Sequence, residues 1–423
     1  MSLLEGLEPK HRRALAWVFA VALLLRLAYG VLRATGPSEA IPSPDAYVDL
    51  ALSLADTGAY SHQGAPSAVR EPAFPLLLAL FFKIFGKSYW TAFGLNCLGS
   101  MASLALLYSC GRMLFSAPVA LTAAAIGAVY PPFIFYTAKL VRETFMGFWC
   151  LLGIWLALKA RARGGLAAFA GAGASFSLAA LTNTTLLPFG LAGAPAAFLV
   201  LGPRDWRLLA RRLAVYGAVF AAVYAPWPLR NHRTLGEWIL GSTSGGGVVF
   251  YVYQVVPQEV AGTEEENRIM DQDPVNQRLR GLPLAAREKA FWKAGFEKIR
   301  SDPARFGRLF AWRLAAFWSV WPKPRALYDH PYSLLKWISI ASDGWIIPLG
   351  FLGMLLFRLR DPGAACFHSL TLSILLTYSF VCIGNRYRFP AMPGLVLFAA
   401  YALHAAWERL RGPSASPSGA AAG

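Results

Sequence analysis

Charged side chains are scarce in this chain of 423 residues. Asp, Glu, Lys and Arg make up 15% of it, hydrophobic residues make up 56%, and the mean hydropathy is +0.44. A soluble domain has about 25% charged residues, so this chain lacks the polar surface that would cover it in water. The composition excludes a soluble globular protein and predicts an all-α polytopic membrane protein.

Cysteine and histidine are also rare. The five cysteines all lie in apolar stretches, and no two of them have CxxC spacing. The six histidines show neither HxxxH nor HExxH spacing. These absences argue against a disulfide framework and against a dedicated zinc site. We therefore expect no cofactor, with a divalent cation bound by side-chain carboxylates as the alternative.

Acidic residues are few, 23 against 40 basic ones, which gives a formal charge of +17. The basic residues do not form one stripe, as nucleic-acid binding would require. Many occur in short gaps between apolar runs, for example at 159–163, 203–212 and 358–360. Basic residues in such gaps are typical of cytoplasmic loops that meet lipid headgroups. The pattern predicts membrane lipids as partners and excludes nucleic acid.

Apolar runs predict about ten transmembrane helices, with both termini in the cytoplasm. They lie at 14–34, 90–113, 117–137, 144–160, 165–182, 185–202, 213–228, 335–357, 364–383 and 390–408. The predicted organisation is a transmembrane module at 1–228 whose first outer loop is 35–89, an outer region at 229–334, C-terminal helices at 335–411 and a disordered tail at 412–423. Of two further apolar stretches, 303–321 is assigned to the outer interface, and 73–86 is expected either to lie along the interface or to merge with the next span. The run Gly245-Gly246-Gly247 is interpreted as a loop.

Charged residues gather where these predicted helices meet the outer side. The clusters are Asp45 with Tyr47, Arg70-Glu71, Lys139 with Arg142-Glu143, and Arg386 with Arg388. Ionisable residues at membrane depth cost about 2.5–3.5 kcal/mol each on insertion scales, so a function is expected for them. The alternatives are that each Arg snorkels separately to the headgroups and that Asp45 caps a helix.

The motifs in these clusters resemble those of one enzyme family. They are Asp45-Ala-Tyr47, Arg70-Glu71-Pro72, Tyr130-Pro131-Pro132, Arg142-Glu143-Thr144, Pro226-Trp227-Pro228-Leu229-Arg230-Asn231 and Arg386-Tyr387-Arg388-Phe389-Pro390. In order and spacing they resemble GT-C membrane glycosyltransferases of the protein O-mannosyltransferase and aminoarabinose transferase kind. The resemblance implies a polyprenyl-phosphate sugar donor and a lipid, polysaccharide or protein acceptor. It implies an active site on the outer face of the cytoplasmic (inner) membrane.

The resemblance also implies roles for individual residues. Asp45 is expected to be the principal catalytic carboxylate, and Glu143 matches a second acidic position. The residues expected to bind the donor and its phosphate are Tyr47, Arg70, Glu71, Lys139, Arg142, Arg230, Arg386 and Arg388. One departure is that this chain has Arg70-Glu71-Pro72 where the aminoarabinose transferase pattern has Glu-Lys-Pro. A positioned carboxylate and a phosphate leaving group suit single displacement with inversion.

Two other classes of function remain open from the sequence. A secondary transporter or lipid flippase would place charges near the midplane and repeat its fold. Arg26 and the Pro131-Pro132 break are the hints in that direction. A scaffold of an envelope assembly complex is the third alternative. Neither the sugar nor the acceptor nor the oligomeric state is specified by these residues.

Overall fold

A computed structural model describes residues 8–34, 41, 43, 45–163, 165–201, 205–243, 246–320, 331–357 and 364–411. The predicted tail at 412–423 lies outside these residues, as do Arg358 and Arg360. The described chain is almost wholly helical, and its one sheet is a hairpin of β1 (Ser61–His62) and β2 (Ala65–Pro66).

The helices fall into two halves along the chain. The first half contains α1 (Pro9–Ala34), α2 (Tyr47–Thr57), α3 (Ala73–Phe85), α4 (Tyr89–Leu114), α5 (Ala117–Val129), α6 (Pro131–Ala138), α7 (Glu143–Arg163), α8 (Leu166–Thr182), α9 (Ala194–Leu201), α10 (Trp206–Tyr224) and α11 (Pro226–Leu235). The second half contains α12 (Gly246–Val255), α13 (Glu264–Gln272), α14 (Pro274–Leu279), α15 (Leu284–Ser301), α16 (Pro303–Ala316), α17 (Tyr332–Leu356), α18 (Ala365–Val381) and α19 (Met392–Arg411). The chain also contains short 3₁₀ segments at Thr184–Leu186 and Asn385–Ala391 and a π turn at Phe189–Gly193.

The predicted class, an all-α polytopic membrane protein, is confirmed. Within the described residues six helices are long and apolar enough to cross a membrane, and the bent pair α5–α6 makes a seventh candidate. The three remaining predicted crossings coincide with shorter apolar helices at Leu166–Thr182, Thr184–Leu199 and Ala365–Val381. The count of ten crossings itself stays a prediction.

Two local features bring charged segments together. Tyr130 is extended before Pro131-Pro132, as the residue before proline tends to be, and α5 and α6 meet there at 49°. Helix α17 packs closely on α19, since a Cβ at Gly353 would lie 2.0 Å from the Phe398 carbonyl oxygen. Small residues allow such close approach of helix backbones. As a result, the middle of α17 lies beside the Asn385–Ala391 segment that precedes α19.

Two expectations about local structure are wrong. Asp45 does not cap α2, because Ala46 occupies the N-cap position and the Asp49 N–H in the first turn donates to the Ser43 hydroxyl at 3.3 Å. Gly246 and Gly247 do not belong to a loop but begin α12, where the Gly247 N–H donates to the Glu288 carboxylate.

Candidate active site

Asp45 lies immediately before α2 and is held by Arg70. The Nε of Arg70 donates to the Asp45 carbonyl oxygen at 2.7 Å, and its Nη2 lies 3.2 Å from the carboxylate Oδ1. Between Asp45 and the helix, Ala46 adopts a left-handed conformation with φ of 62°. Left-handed conformations of residues with a Cβ are strained and cluster at functional sites. The backbone here is thus bent sharply where it presents the carboxylate.

Arg386 lies between two carboxylates. Its Nη1 is 3.5 Å from Asp45 Oδ2, and its Nε is 3.7 Å from Glu143 Oε1. Both separations exceed a hydrogen bond. Neither Arg386 Nε nor Glu143 Oε2 has a hydrogen-bond partner among the described residues, although both atoms are buried. The pairing of Arg386 with the two acids is therefore electrostatic rather than hydrogen-bonded.

Tyr47 packs between two guanidinium groups. The Cζ atoms of Arg70 and Arg142 lie 5.4 Å and 5.9 Å from the centre of its ring. Such stacking attracts a cation to the face of the ring. Burial raises the pKa of the Tyr47 phenol, which therefore stays neutral. Tyr47 orients the arginines as a neutral ring and adds no charge to the site.

Glu71 and Arg142 form a buried pair beside this group. Arg142 Nη1 lies 2.6 Å from Glu71 Oε2, while the Thr184 N–H and hydroxyl donate to Oε1 at 3.1 and 2.9 Å. Each carboxylate oxygen of Glu71 thus has a partner within the chain, and the group is only 4% exposed. This arrangement favours a role for Glu71 in holding Arg142 and Thr184 over direct contact with a ligand.

Arg388 points away from Arg386. Its Nη2 pairs with Asp343 Oδ2 and its Nη1 donates to the Ser319 carbonyl oxygen at 2.7 Å. Asp343 also accepts from the Tyr130 hydroxyl and, at 3.0 Å, from the Ser339 hydroxyl. Arg388 and Asp343 are 2% and 3% exposed. The two arginines of Arg386-Tyr387-Arg388 therefore belong to different clusters, although both were expected to bind the donor or its phosphate.

Arg230 and Lys139 contact other parts of the chain. Arg230 donates to the Ser67 and Tyr60 carbonyl oxygens at 2.7 and 2.8 Å and so fixes α11 to the hairpin region. The Lys139 ammonium lies 5.3 Å from the centre of the Phe135 ring. The structure thus brings together Asp45, Tyr47, Arg70, Glu143 and Arg386, with Glu71 and Arg142 packed against them. Lys139, Arg230 and Arg388 have separate partners.

Two residues of this region were missed in the sequence. Thr184 binds Glu71, and nothing in the apolar run around it distinguishes it. Asp343 had a usable signal, because it is the only acidic residue in the apolar stretch 331–357. An ionisable residue within a hydrophobic span indicates a function or a buried partner, and here the partner is Arg388.

No metal-binding group is evident in the described part of the chain, where no three His, Cys, Asp or Glu side chains converge. Asp45 and Glu143 both face the Arg386 guanidinium instead. A divalent cation at these two carboxylates stays an untested alternative.

Comparison with known proteins adds two findings. Residues 67–228 match the family model described as dolichyl-phosphate-mannose-protein mannosyltransferase. This match confirms the resemblance over that stretch, which includes Arg70, Glu143 and the Tyr130-Pro131-Pro132 break. No curated protein matches the chain.

Solved structures with the same fold include the oligosaccharyltransferase AglB from Archaeoglobus fulgidus. The complex of AglB with an inhibitory peptide and a dolichol-phosphate has a TM-score of 0.59 and 17% identity, covering 95% of this chain and 51% of AglB. The apo form gives a TM-score of 0.60 at 15% identity, with the same coverage. ArnT from Cupriavidus metallidurans bound to undecaprenyl phosphate gives a TM-score of 0.44 at 15% identity, covering 91% and 77%. The chain spans about half the length of AglB and shares the fold of that half, the fold expected of a GT-C glycosyltransferase.

Proposed function

We propose that this protein transfers a sugar from a polyprenyl-phosphate donor to an acceptor of the cell envelope. The observation that carries the proposal is the Asp45 carboxylate, held by Arg70 and paired with Arg386 at 3.5 Å, which is longer than a hydrogen bond. The Asp45 and Arg386 side chains are 23% and 38% exposed, so both are accessible to a ligand. A base and an anion-binding group therefore lie next to each other, and both are partly exposed.

The chemistry follows from these two groups. The acceptor hydroxyl or amine gives its proton to the Asp45 carboxylate as its oxygen or nitrogen bonds to the anomeric carbon. The bond from that carbon to the phosphate oxygen breaks, and its electron pair stays on the lipid phosphate. Arg386 donates N–H groups to the phosphate oxygens and stabilises the charge that develops there. This is a single displacement, which inverts the anomeric carbon.

Arg70 and Glu143 complete the site. Arg70 fixes the position of Asp45 through its carbonyl oxygen and its carboxylate. Glu143 lies 3.7 Å from Arg386 Nε and orients the guanidinium from the side opposite Asp45. The family match at residues 67–228 and the dolichol-phosphate named in the AglB complex support a lipid-phosphate donor.

We place the site on the outer face of the cytoplasmic membrane. Basic gaps such as 203–212 mark the cytoplasmic side by their charge, and the segments that carry Asp45, Glu143 and Arg386 alternate with them along the chain. Labelling single cysteines tests this placement. A cysteine at 268 should react from outside, and one at 207 should react only after permeabilisation.

The transporter alternative receives less support from the charges. The open ionisable groups gather around Asp45. Of the buried charges, Asp343 and Arg388 neutralise each other, and Arg26 donates to the Ser100 hydroxyl and to the Ala22 and Ala128 carbonyl oxygens. A carrier would need an open charged site at that depth.

The test uses purified protein in nanodiscs with short-chain polyprenyl-phosphate sugars that carry radiolabelled mannose, glucose or aminoarabinose, and with envelope extract as acceptor. We expect label to move from one donor to an acceptor product, with release of polyprenyl phosphate. Transport of the donor across proteoliposomes without cleavage would contradict the proposal and favour a flippase. Mass spectrometry of envelope glycans in a deletion strain then identifies the sugar and the acceptor.

A further inference from the structure

Arg388, which pairs with the buried Asp343 of α17, lies in the same short segment as the open Arg386. Asn385–Ala391 forms a 3₁₀ segment, in which Arg386 contacts Asp45 and Glu143 and Arg388 contacts Asp343. The segment has only seven residues, and its Tyr387 N–H donates to the Gly384 carbonyl oxygen at 3.0 Å. The position of Arg386 therefore depends on what holds this short segment.

Asp343 links this segment to α17 and to the α5–α6 bend. Its carboxylate binds Arg388 of the segment, Tyr130 at the α5–α6 bend and Ser339 of α17. Arg388 also reaches the Ser319 carbonyl oxygen after α16. The charges of the pair cancel, and the groups bonded to Asp343 belong to the 3₁₀ segment, to the α5–α6 bend and to α17 itself. The cluster thus ties α17 and the bend to the segment that carries Arg386.

Packing around the cluster points the same way. Phe389 follows Arg388 and contacts Phe133 and Tyr136 of α6, with ring centres 5.4 and 5.0 Å apart. On its other side a Cβ at Gly147 of α7 would lie 3.1 Å from the Phe389 ring. Glu143 begins α7, and α6 leads to it. Glu143, one partner of Arg386, and the segment itself are therefore positioned by contacts with the same two helices, α6 and α7.

We propose that Asp343 is a positioning residue, which through Arg388 fixes the Asn385–Ala391 segment so that Arg386 lies between Asp45 and Glu143. The inference rests on the proposed function, because it assigns Asp343 to the transfer reaction without contact with the substrate. A small displacement of a catalytic group costs about 10²-fold in rate when the group is misplaced by ~1 Å. Neutralising Asp343 should therefore act on transfer as if Arg386 itself were impaired.

The experiment is a double-mutant cycle on kcat/KM for the donor that the transfer assay identifies. Asp343→Asn in the otherwise unaltered protein should lower kcat/KM by about 10–100-fold, as outer partners of functional groups commonly do. In an Arg386→Gln background, Asp343→Asn should lower kcat/KM by less than about threefold, because the effects of coupled residues are not additive. Equal losses in both backgrounds, or unaltered kcat/KM in Asp343→Asn, would overturn the proposal. Arg212→Met, which removes a buried guanidinium on α10, should leave kcat/KM unchanged.

A second variant covers the case in which Asp343→Asn does not fold. Asp343→Leu with Arg388→Met removes both buried charges, a replacement that often preserves stability. We expect this variant to fold and still to show the loss of transfer. Normal kcat/KM in the folded double variant would contradict positioning by the pair.

A readout that is independent of turnover separates this inference from the proposed function. Amide exchange of residues 385–391 should accelerate in Asp343→Asn and stay unaltered in Arg212→Met. If the unaltered protein transfers no sugar, the proposed function fails, and the amide exchange alone decides whether Asp343 holds the segment. Unaltered exchange there would overturn the inference.

Discussion

The molecule contains two charged clusters that share one short segment but differ in how completely they are satisfied. In the open cluster, Asp45, Glu143 and Arg386 are separated by 3.5 and 3.7 Å, and Arg386 is 38% exposed. In the closed cluster, Asp343, Arg388 and Tyr130 are nearly inaccessible and directly bonded. Fully partnered buried charges stabilise a unique arrangement, while incompletely partnered ones retain capacity for a ligand. The open cluster therefore contains residues that can bind a ligand, whereas the closed cluster contains residues that maintain the structure.

The largest expected effect is at Asp45. Asp45→Asn keeps the size of the side chain and removes the base, so transfer should fall by ~10²–10⁴-fold. The structure excludes the helix-cap explanation, since Ala46 occupies the N-cap position of α2. Transfer kinetics on purified protein measure the effect, with the exposed Asp49→Asn as the matched control. Near-normal turnover in Asp45→Asn would remove Asp45 from the mechanism.

The two glutamates of the site should separate stability from activity. Glu71→Gln deprives the buried Arg142 of its charged partner, and breaking such a pair costs about 3–5 kcal/mol of unfolding free energy. Glu143→Gln removes a buried carboxylate whose ion pair is long, at 3.7 Å, and whose Oε2 accepts no hydrogen bond from the described residues, so it should destabilise the protein less than Glu71→Gln does. Denaturant unfolding followed by tryptophan fluorescence checks both variants. Equal destabilisation would show that Glu143 is as firmly held as Glu71.

Parts of this arrangement could be predicted from the sequence because they are properties of single segments. Apolar runs located the helices, Pro131-Pro132 marked the bend at Tyr130, and isolated charges at helix ends marked Asp45, Glu143 and Arg386. Pairings across the bundle could not be predicted, since they depend on which helices become neighbours. Thus Arg386 and Arg388 look equivalent in the sequence, and only the position of α17 assigns one to Asp45 and the other to Asp343.

The same two arginines give the next prediction. A lysine keeps the charge and loses the planar fork of donors. Arg386→Lys should raise the KM for the donor by about tenfold, equivalent to one charged hydrogen bond of ~1.4 kcal/mol, and leave the unfolding temperature unchanged. Arg388→Lys should lower the unfolding temperature, because a lysine ammonium cannot bind both Asp343 and the Ser319 carbonyl oxygen in the way that the guanidinium does.

The control for this pair is Arg211→Lys, an exposed residue on α10, which should alter neither quantity. A lowered unfolding temperature in Arg386→Lys, or an unaltered one in Arg388→Lys, would show that the two arginines do not divide into a ligand-binding and a structural residue.

The smallest expected effect concerns the backbone that presents Asp45. Ala46 has φ of 62°, and a left-handed conformation costs a residue with a Cβ about 1–2 kcal/mol, whereas glycine adopts it freely. Ala46→Gly should therefore retain transfer and change stability by no more than about 1 kcal/mol.

In Ala46→Val the branched Cβ is incompatible with this conformation, so the turn should relax and move the Asp45 carboxylate away from Arg386. We expect kcat to fall while the unfolding temperature decreases only slightly, since the strain itself is released. Thermal unfolding and transfer kinetics on both variants measure this, and equal kcat in the glycine and valine variants would show that the left-handed turn does not position the carboxylate.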